Sequence, residues 1–250
     1  KEAGVNWLDK SSSALFIDLD NDGDQDLTVA SAGNVLVMEN DGKGKFHFRG
    51  ALPLIDSDLQ SLAAADYDND GDLDLFVCVD FARVAARPDE IPKFIYHDAK
   101  EGGANALFRN DITKGGDWNF SDVTKEAQLN VDNRRHSLAA VWDDYDKDGD
   151  QDLYVTNHGP SRLFQNNGDS TFTDVAVQAG VSNLRYCKAS GWGDFDGDGH
   201  PEVILTPRGY SKKSTTAISV KNGPPATRDE GRAVSFKGVP EGFDFGWGNV

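Results

Sequence analysis

The sequence predicts an all-β fold, a β-propeller of four-stranded antiparallel blades. Three observations lead there. An acidic loop, Asp18-Leu19-Asp20-Asn21-Asp22-Gly23-Asp24-Gln25-Asp26-Leu27, recurs as residues 66–75, 144–153 and, altered, 194–203. Each copy carries acids at positions one, three, five and nine and Gly at six, and sits between two short apolar runs. A strand-like run ending in asparagine follows each loop, ending at Asn40, Asn110, Asn166 and Asn222. Self-similarity at about 50 residues marks a repeat architecture. Short β-branched and aromatic runs bounded by Gly, Asn and Asp are strand chemistry, and four such strands per repeat make a propeller blade.

Taken in order, the loops begin at 18, 66, 144 and 194, so the spacings are 48, 78 and 50 residues. The distance from loop start to the asparagine landmark is 22, 44, 22 and 28, so the second repeat holds a long insertion and the fourth a short one. In the third repeat the strands are expected at 137–142, 153–156, 162–165 and 171–177. The first two are nearly all apolar and are expected to be buried on both faces; the later two alternate, as outer strands do. Residues 1–250 then form one propeller region with blades near 11–55, 59–129, 136–181 and 186–242, an insertion at 80–104, and the first strand of a further blade at 243–250. Lys1-Glu2-Ala3-Gly4-Val5 matches Lys125-Glu126-Ala127-Gln128-Leu129, and Gly246-Trp247-Gly248-Asn249 matches Gly191-Trp192-Gly193-Asp194. The expectation is a piece of a larger propeller.

The formal charge is −17, and 19 of the 42 acids lie in the four loops. One divalent cation per loop would bring the charge to −9. The acidity is therefore local, and it argues against nucleic acid or an anionic membrane as partner. No stretch reaches the ~18 apolar residues of a membrane span. The chain opens without a signal-peptide pattern, as a mature or trimmed extracellular chain also would. Cys78 and Cys187 are too few for a disulfide framework and fall in strands of different repeats; they are expected as buried thiols.

Alternate carboxylates on a tight loop converge on one side, glycine permits the turn, and position seven offers a main-chain carbonyl. This all-oxygen cage suits calcium, and no Cys or His at the core positions favours a softer metal. The expected ligands are Asp18, Asp20, Asp22, the Asp24 carbonyl and Asp26; Asp66, Asp68, Asp70, the Asp72 carbonyl and Asp74; Asp144, Asp146, Asp148, the Asp150 carbonyl and Asp152; and Asp194, Asp196, Asp198, the His200 carbonyl and Glu202. An EF-hand needs a bidentate Glu at position twelve; here that position is Val29, Val77, Val155 and Leu205, and the flanks are strands. Plain Asp-Gly turns are the bland alternative. Four clusters of like charge in register speak against it, because unneutralised they repel.

The Asp-x-Asp-x-Asp-Gly-x-x-Asp-Leu pattern between two strands resembles the FG-GAP/VCBS repeat of integrin α-chain propellers. Phe172-Thr173-Asp174-Val175, its counterpart Phe120-Ser121-Asp122-Val123, and the Asn-Asp-Gly after the third strand look more like the cartilage acidic protein group of secreted propellers. The resemblance covers essentially the whole chain. It implies calcium, about four ions at one per blade loop, and a parent propeller of seven or eight blades, where four and a fraction stand here.

A meander places the calcium loops on one face of the disc and the loops after strands two and four on the other, where integrin-like propellers usually meet partners. The candidate ligand residues there are Tyr96, His97, Arg134, Arg135, His136, His158, Arg185 and Tyr186, read as an exposed basic and aromatic rim; solvated loop charge is the bland alternative. The insertion at 80–104 is the best single candidate, since long loops in compact domains are often functional. No Gly-x-Ser-x-Gly elbow occurs and Cys78 has no evident His partner, so no catalytic residue is assigned. The expected function is a non-catalytic, secreted or extracellular adhesion module for a protein or matrix partner; cell surface or periplasm are the other settings. A glycan-binding lectin is the alternative, and a polysaccharide lyase a more remote one. The tryptophans that end first strands, Trp142, Trp192 and Trp247, are expected in core packing.

Overall fold

The computed structural model describes residues 3–6, 9–31, 33–54, 57–82, 100–112, 116–182, 187–194, 197, 199–207 and 216–219. Every regular element among them is a strand. The first blade comprises β1 (Ser11–Ile17), β2 (Asp26–Ser31), β3 (Asn34–Asn40) and β4 (Phe46–Pro53). The second comprises β5 (Ser57–Ala65), β6 (Asp74–Ala82), β7 (Ala106–Asn110) and β8 (Phe120–Asp122). The third comprises β9 (Ser137–Asp143), β10 (Asp152–Asn157), β11 (Arg162–Asn166) and β12 (Phe172–Asp174). The fourth comprises β13 (Cys187–Gly193), β14 (Glu202–Pro207) and β15 (Thr216–Ser219). Each sheet is an antiparallel meander in chain order, the form of a propeller blade. The first strands of successive blades lie side by side, β1 against β5, β5 against β9 and β9 against β13.

The hydrophobic pattern explains the stacking. Successive residues of a strand face opposite sides of its sheet. In β6, Leu75, Val77 and Val79 join Ala30 and Val35 of the first blade, while Phe76 and Cys78 join Leu153 and Val155 of the third. Between the third and fourth blades Tyr145, Tyr154 and Leu163 meet Val203 and Leu205. A second strand sandwiched between two blades must be apolar on both faces, which is why its sequence does not alternate. Trp142 sits edge-on to Phe76 at 6.3 Å, and Trp192 stacks over Tyr145 at 6.4 Å. The tryptophans thus fill blade–blade seams; Trp247 lies outside the described residues.

Two expectations need correction. The second strands β2 and β10 are buried along their whole length and the third strand β7 nearly so, whereas β1, β9 and β13 are half exposed. As innermost strands they have a sheet neighbour on one side alone. The fourth strand of the third blade is also shorter than 171–177, since β12 ends at Asp174. There Asp174 Oδ1 accepts the Ala176 N–H, and Ala179 N–H bonds back to Val175 O, turning the chain. Strand β6 runs to Ala82, so it enters the stretch expected as an insertion at 80–104. Residues 83–99, the stretch 220–250 and with it the expected strand at 243–250 lie outside the described residues. Both cysteines are buried thiols.

The segment matched between Lys1 and Lys125 also matches in space. Phe46 N–H donates to Ala3 O at 2.8 Å, and Phe172 N–H donates to Ala127 O at 3.1 Å. In both places the Ala of a Lys-Glu-Ala segment pairs with the first residue of a blade's fourth strand.

Candidate metal-binding loops

All four loops have one register. Ile17 pairs with Asp26, Ala65 with Asp74, Asp143 with Asp152, and Gly193 with Glu202. The residue before position one therefore always faces position nine, and the fourth loop keeps this frame despite its changed sequence. The twelfth positions, Val29, Val77, Val155 and Leu205, are buried core of the second strands, which is incompatible with their acting as ligands.

The backbone inside each loop follows from residue type. Position four takes a left-handed φ, at Asn21 (56°), Asn69 (60°) and Lys147 (63°). Asparagine tolerates this region better than most residues. Position six takes φ of 99°, 94° and 99° at Gly23, Gly71 and Gly149, where a Cβ would be strained. With the chain so curled, the first-position carboxylate accepts two main-chain N–H groups. Asp66 Oδ1 and Oδ2 accept from Asp70 and Gly71, both at 3.0 Å, and Asp144 accepts from Asp148 and Gly149, both at 3.0 Å. Asp18 does the same with Asp22 and Gly23 at 3.2 and 3.1 Å. In the fourth loop Asp194 Oδ2 accepts from Gly199 at 2.9 Å; Asp196 and Asp198 lie outside the described residues.

This curl gathers the carboxylates. Oxygens of Asp18, Asp20 and Asp22, of Asp66, Asp68 and Asp70, and of Asp144, Asp146 and Asp152 lie within 4.8 Å of one another in each group. These three loops can hold a metal ion. The donor set is all carboxylate oxygen, which fits a hard divalent cation. Asp68 Oδ1 and Asp146 Oδ1 are buried and have no hydrogen-bond partner among the described residues. An acceptor buried without a donor is costly, and a cation would satisfy it. Burial, then the neighbouring acids, pushes the carboxyls of Asp20, Asp68 and Asp146 above the usual range. The residues therefore fit a calcium ion. Asp24, Asp72 and Asp150 at position seven, Asp148 at position five, and His200 complete the loops, His200 on an exposed turn.

Position nine has a second role that the acidic pattern alone did not disclose. Asp26, Asp74 and Asp152 are the first residues of β2, β6 and β10 and are buried. One oxygen of each accepts the N–H of the second loop residue: Leu19 at 2.9 Å, Tyr67 at 3.2 Å and Tyr145 at 3.1 Å. The other accepts the N–H of the asparagine landmark: Asn40, Asn110 and Asn166, each at 2.8 Å. Burial is the main cause that pushes these carboxyls up, to about 6 for Asp26, about 7 for Asp74 and about 8 for Asp152. The landmark side chains continue into the preceding blade: Asn110 Nδ2 donates to Leu19 O and Asn166 Nδ2 to Tyr67 O, both at 2.8 Å. The recurrence of the asparagine was visible in sequence, but its cross-blade partner was not.

The opposite face departs from its expected form. Arg134 is exposed and His158 half-buried, but Arg135 and His136 are buried. His136 Nδ1 lies 2.8 Å from Asp80 Oδ1, its ring is edge-on to Phe81 at 4.8 Å, and His158 N–H donates to His136 O at 3.0 Å. Arg135 reaches the carboxylate of Asp132. These two side chains hold the join between the second and third blades instead of forming a rim. Tyr96, His97, Arg185 and Tyr186 lie outside the described residues. Sequence reasoning missed a cavity of about 620 Å³ beside this join, lined by Lys100, Asn105, Lys125, Asn130, Asn133 and Arg134 among others.

Blades in a meander with carboxylate-bearing hairpins at fixed register define a β-propeller with acidic loops between the first and second strands of its blades. Residues 18–77 and 144–205 match the FG-GAP-like repeat family, and these segments are FG-GAP-like repeats. Between them they contain all four loops. No curated protein matches the chain in sequence. Among solved structures, a lectin of Agrocybe aegerita that recognises non-reducing terminal N-acetylglucosamine is 16% identical, with a TM-score of 0.47, over 84% of this chain and 50% of that one. BBS1N in complex with ARL6DN is 12% identical, with a TM-score of 0.34, over 86% of this chain and 63% of that one. The chain thus spans about half to three-fifths of the length of these structures. The nearer likeness to the cartilage acidic protein group is not among what these comparisons show. No helix among the described residues is long and apolar enough to cross a membrane.

Proposed function

We propose that the chain is a non-catalytic, extracellular, calcium-stabilised propeller module that binds a protein or matrix partner through the face opposite its acidic loops. The observation that carries the calcium reading is the gathering of three carboxylates in each of three loops, with Asp68 Oδ1 and Asp146 Oδ1 buried and undonated among the described residues. Calcium neutralises the clustered charge and pins the hairpin between the first two strands of each blade. Its role is structural, and about four ions at one per loop are expected. Equilibrium dialysis with radioactive calcium tests this: uptake of several ions per chain supports it, and no uptake refutes it.

A second reading, glycan binding, is favoured by the cavity lined by the second blade and the segment that follows its fourth strand. Amides of Asn130 and Asn133, the cations Lys100, Lys125 and Arg134, and the acids Asp122, Glu126 and Asp132 line it. Amide and charged groups are the usual partners of sugar hydroxyls and carboxylates. A glycan array run with and without calcium separates the readings. Binding lost in Arg134→Glu assigns the cavity to glycans; binding of immobilised matrix protein alone assigns the face to protein. Unsaturated products from acidic polysaccharides, detected by ultraviolet absorbance, would instead reveal a lyase.

A further inference from the structure

We propose that Asn21 and Asn69 are positioning residues that couple cation binding between consecutive loops, so that the first three loops fill cooperatively. The inference rests on the calcium reading of those loops. Each asparagine stands at position four, between the third- and fifth-position acids of its own cluster, in the left-handed conformation that turns its side chain out of the loop. Each side chain crosses to the next blade. Asn21 Nδ2 donates to Asp72 Oδ1 at 2.5 Å and lies 3.4 Å from Gly71 O; Asn69 Nδ2 donates to Asp150 Oδ1 at 2.7 Å. Asp72 and Asp150 hold position seven, whose main-chain carbonyl completes the expected cage. One amide therefore joins the middle of one site to the carbonyl-bearing residue of the next.

The physical consequence follows from the charge pattern. Without a cation, the acids flanking the asparagine repel one another and residue four is poorly held. A cation that draws those acids together fixes the asparagine, and the asparagine fixes the seventh residue of the next loop. The following ion then meets a site whose ordering has already been met, which is positive cooperativity. By linkage the effect runs equally in both directions.

On the side of the fourth loop the residue types end the coupled set. At the next junction the residue types are Lys147 and His200, which cannot form an amide–carboxylate bond; Lys147 Nζ lies near Gly199. Asp24, the seventh residue of the first loop, has its Oδ1 buried with no hydrogen-bond partner among the described residues. The links thus run from the first loop to the second and from the second to the third.

The test uses the full chain, stripped with chelator and titrated with calcium alone by calorimetry, with melting followed in parallel. Wild type is expected to fill with a Hill coefficient above one. Asn21→Gly and Asn69→Gly keep the positive φ and remove the amide; they should flatten the isotherm and weaken its midpoint ~5-fold or more. Asp72→Ala removes the acceptor while keeping the carbonyl, and should do the same. Asn21→Gly combined with Asp72→Ala should lose no more than either alone. A merely structural role would lower the metal-free melting temperature and leave the steepness of uptake unchanged, which overturns the proposal. Independent sites in wild type overturn the coupling while leaving the calcium reading intact. No calcium uptake removes both.

Discussion

Asp74 accepts the N–H of Asn110 at 2.8 Å, and the side chain of Asn110 donates to Leu19 O of the preceding blade at the same distance. The pair ties a loop, the end of a third strand and the neighbouring loop into one hydrogen-bonded chain. Asp152 and Asn166 repeat it one blade on, with Tyr67 O as the terminus. The blades are therefore joined by directed polar bonds at the loop face as well as by the apolar seams below.

Asn166→Ala should show what that bond contributes. The substitution leaves the buried carbonyl of Tyr67 without its donor and takes the acceptor from Gly168 N–H. An unpaired buried group costs about 1–3 kcal/mol. Urea denaturation should give a lower midpoint at unchanged slope; a loss under about 0.5 kcal/mol would remove the stitch from the account.

The apolar seam should weigh more. Phe76 is buried between the second and third blades and meets Trp142 edge-on. Phe76→Ala should cost about 3–5 kcal/mol, and Phe76→Leu clearly less, in the same titration. Equal losses for the two would mean that the aromatic contact, not buried volume, carries the seam.

Acid should weaken the join between the second and third blades. The hydrogen bond from Arg135, together with the nearby charges of Arg135, Lys100 and Arg162, holds the Asp132 carboxyl below its usual value of 3.8. A depressed folded-state pKa means the contribution is present above the unfolded value and is lost as pH falls through the folded one. Asp132 is partly exposed, so the pair is worth about 1 kcal/mol or less. Asp132→Asn should therefore be less stable than wild type at neutral pH and converge with it below about pH 4. A constant difference across that range would contradict the assignment.

Much of this architecture was legible in the sequence, for definite reasons. The loop pattern repeats with its glycine in place, and Leu75 to Val79 of β6 read as an unbroken apolar run because they face two blades. What was hidden depended on neighbours in space. The half-exposure of β1 follows from its place at the inner edge, which no local pattern encodes. Arg135 and His136 look like solvent-facing charge in sequence, yet both are buried, Arg135 reaching the partly exposed Asp132 and His136 lying beside Asp80. The fourth-position asparagines look like turn residues, and their carboxylate partners lie 51 and 81 positions away.

The most direct test of the central claim is the melting curve of the full chain in excess EDTA and again after calcium is restored. Clustered acids such as Asp66, Asp68 and Asp70 should repel in the stripped protein, so the melting temperature should fall by several degrees or more and recover with calcium but not with equal ionic strength of sodium. Superimposable curves in EDTA and calcium would contradict the account.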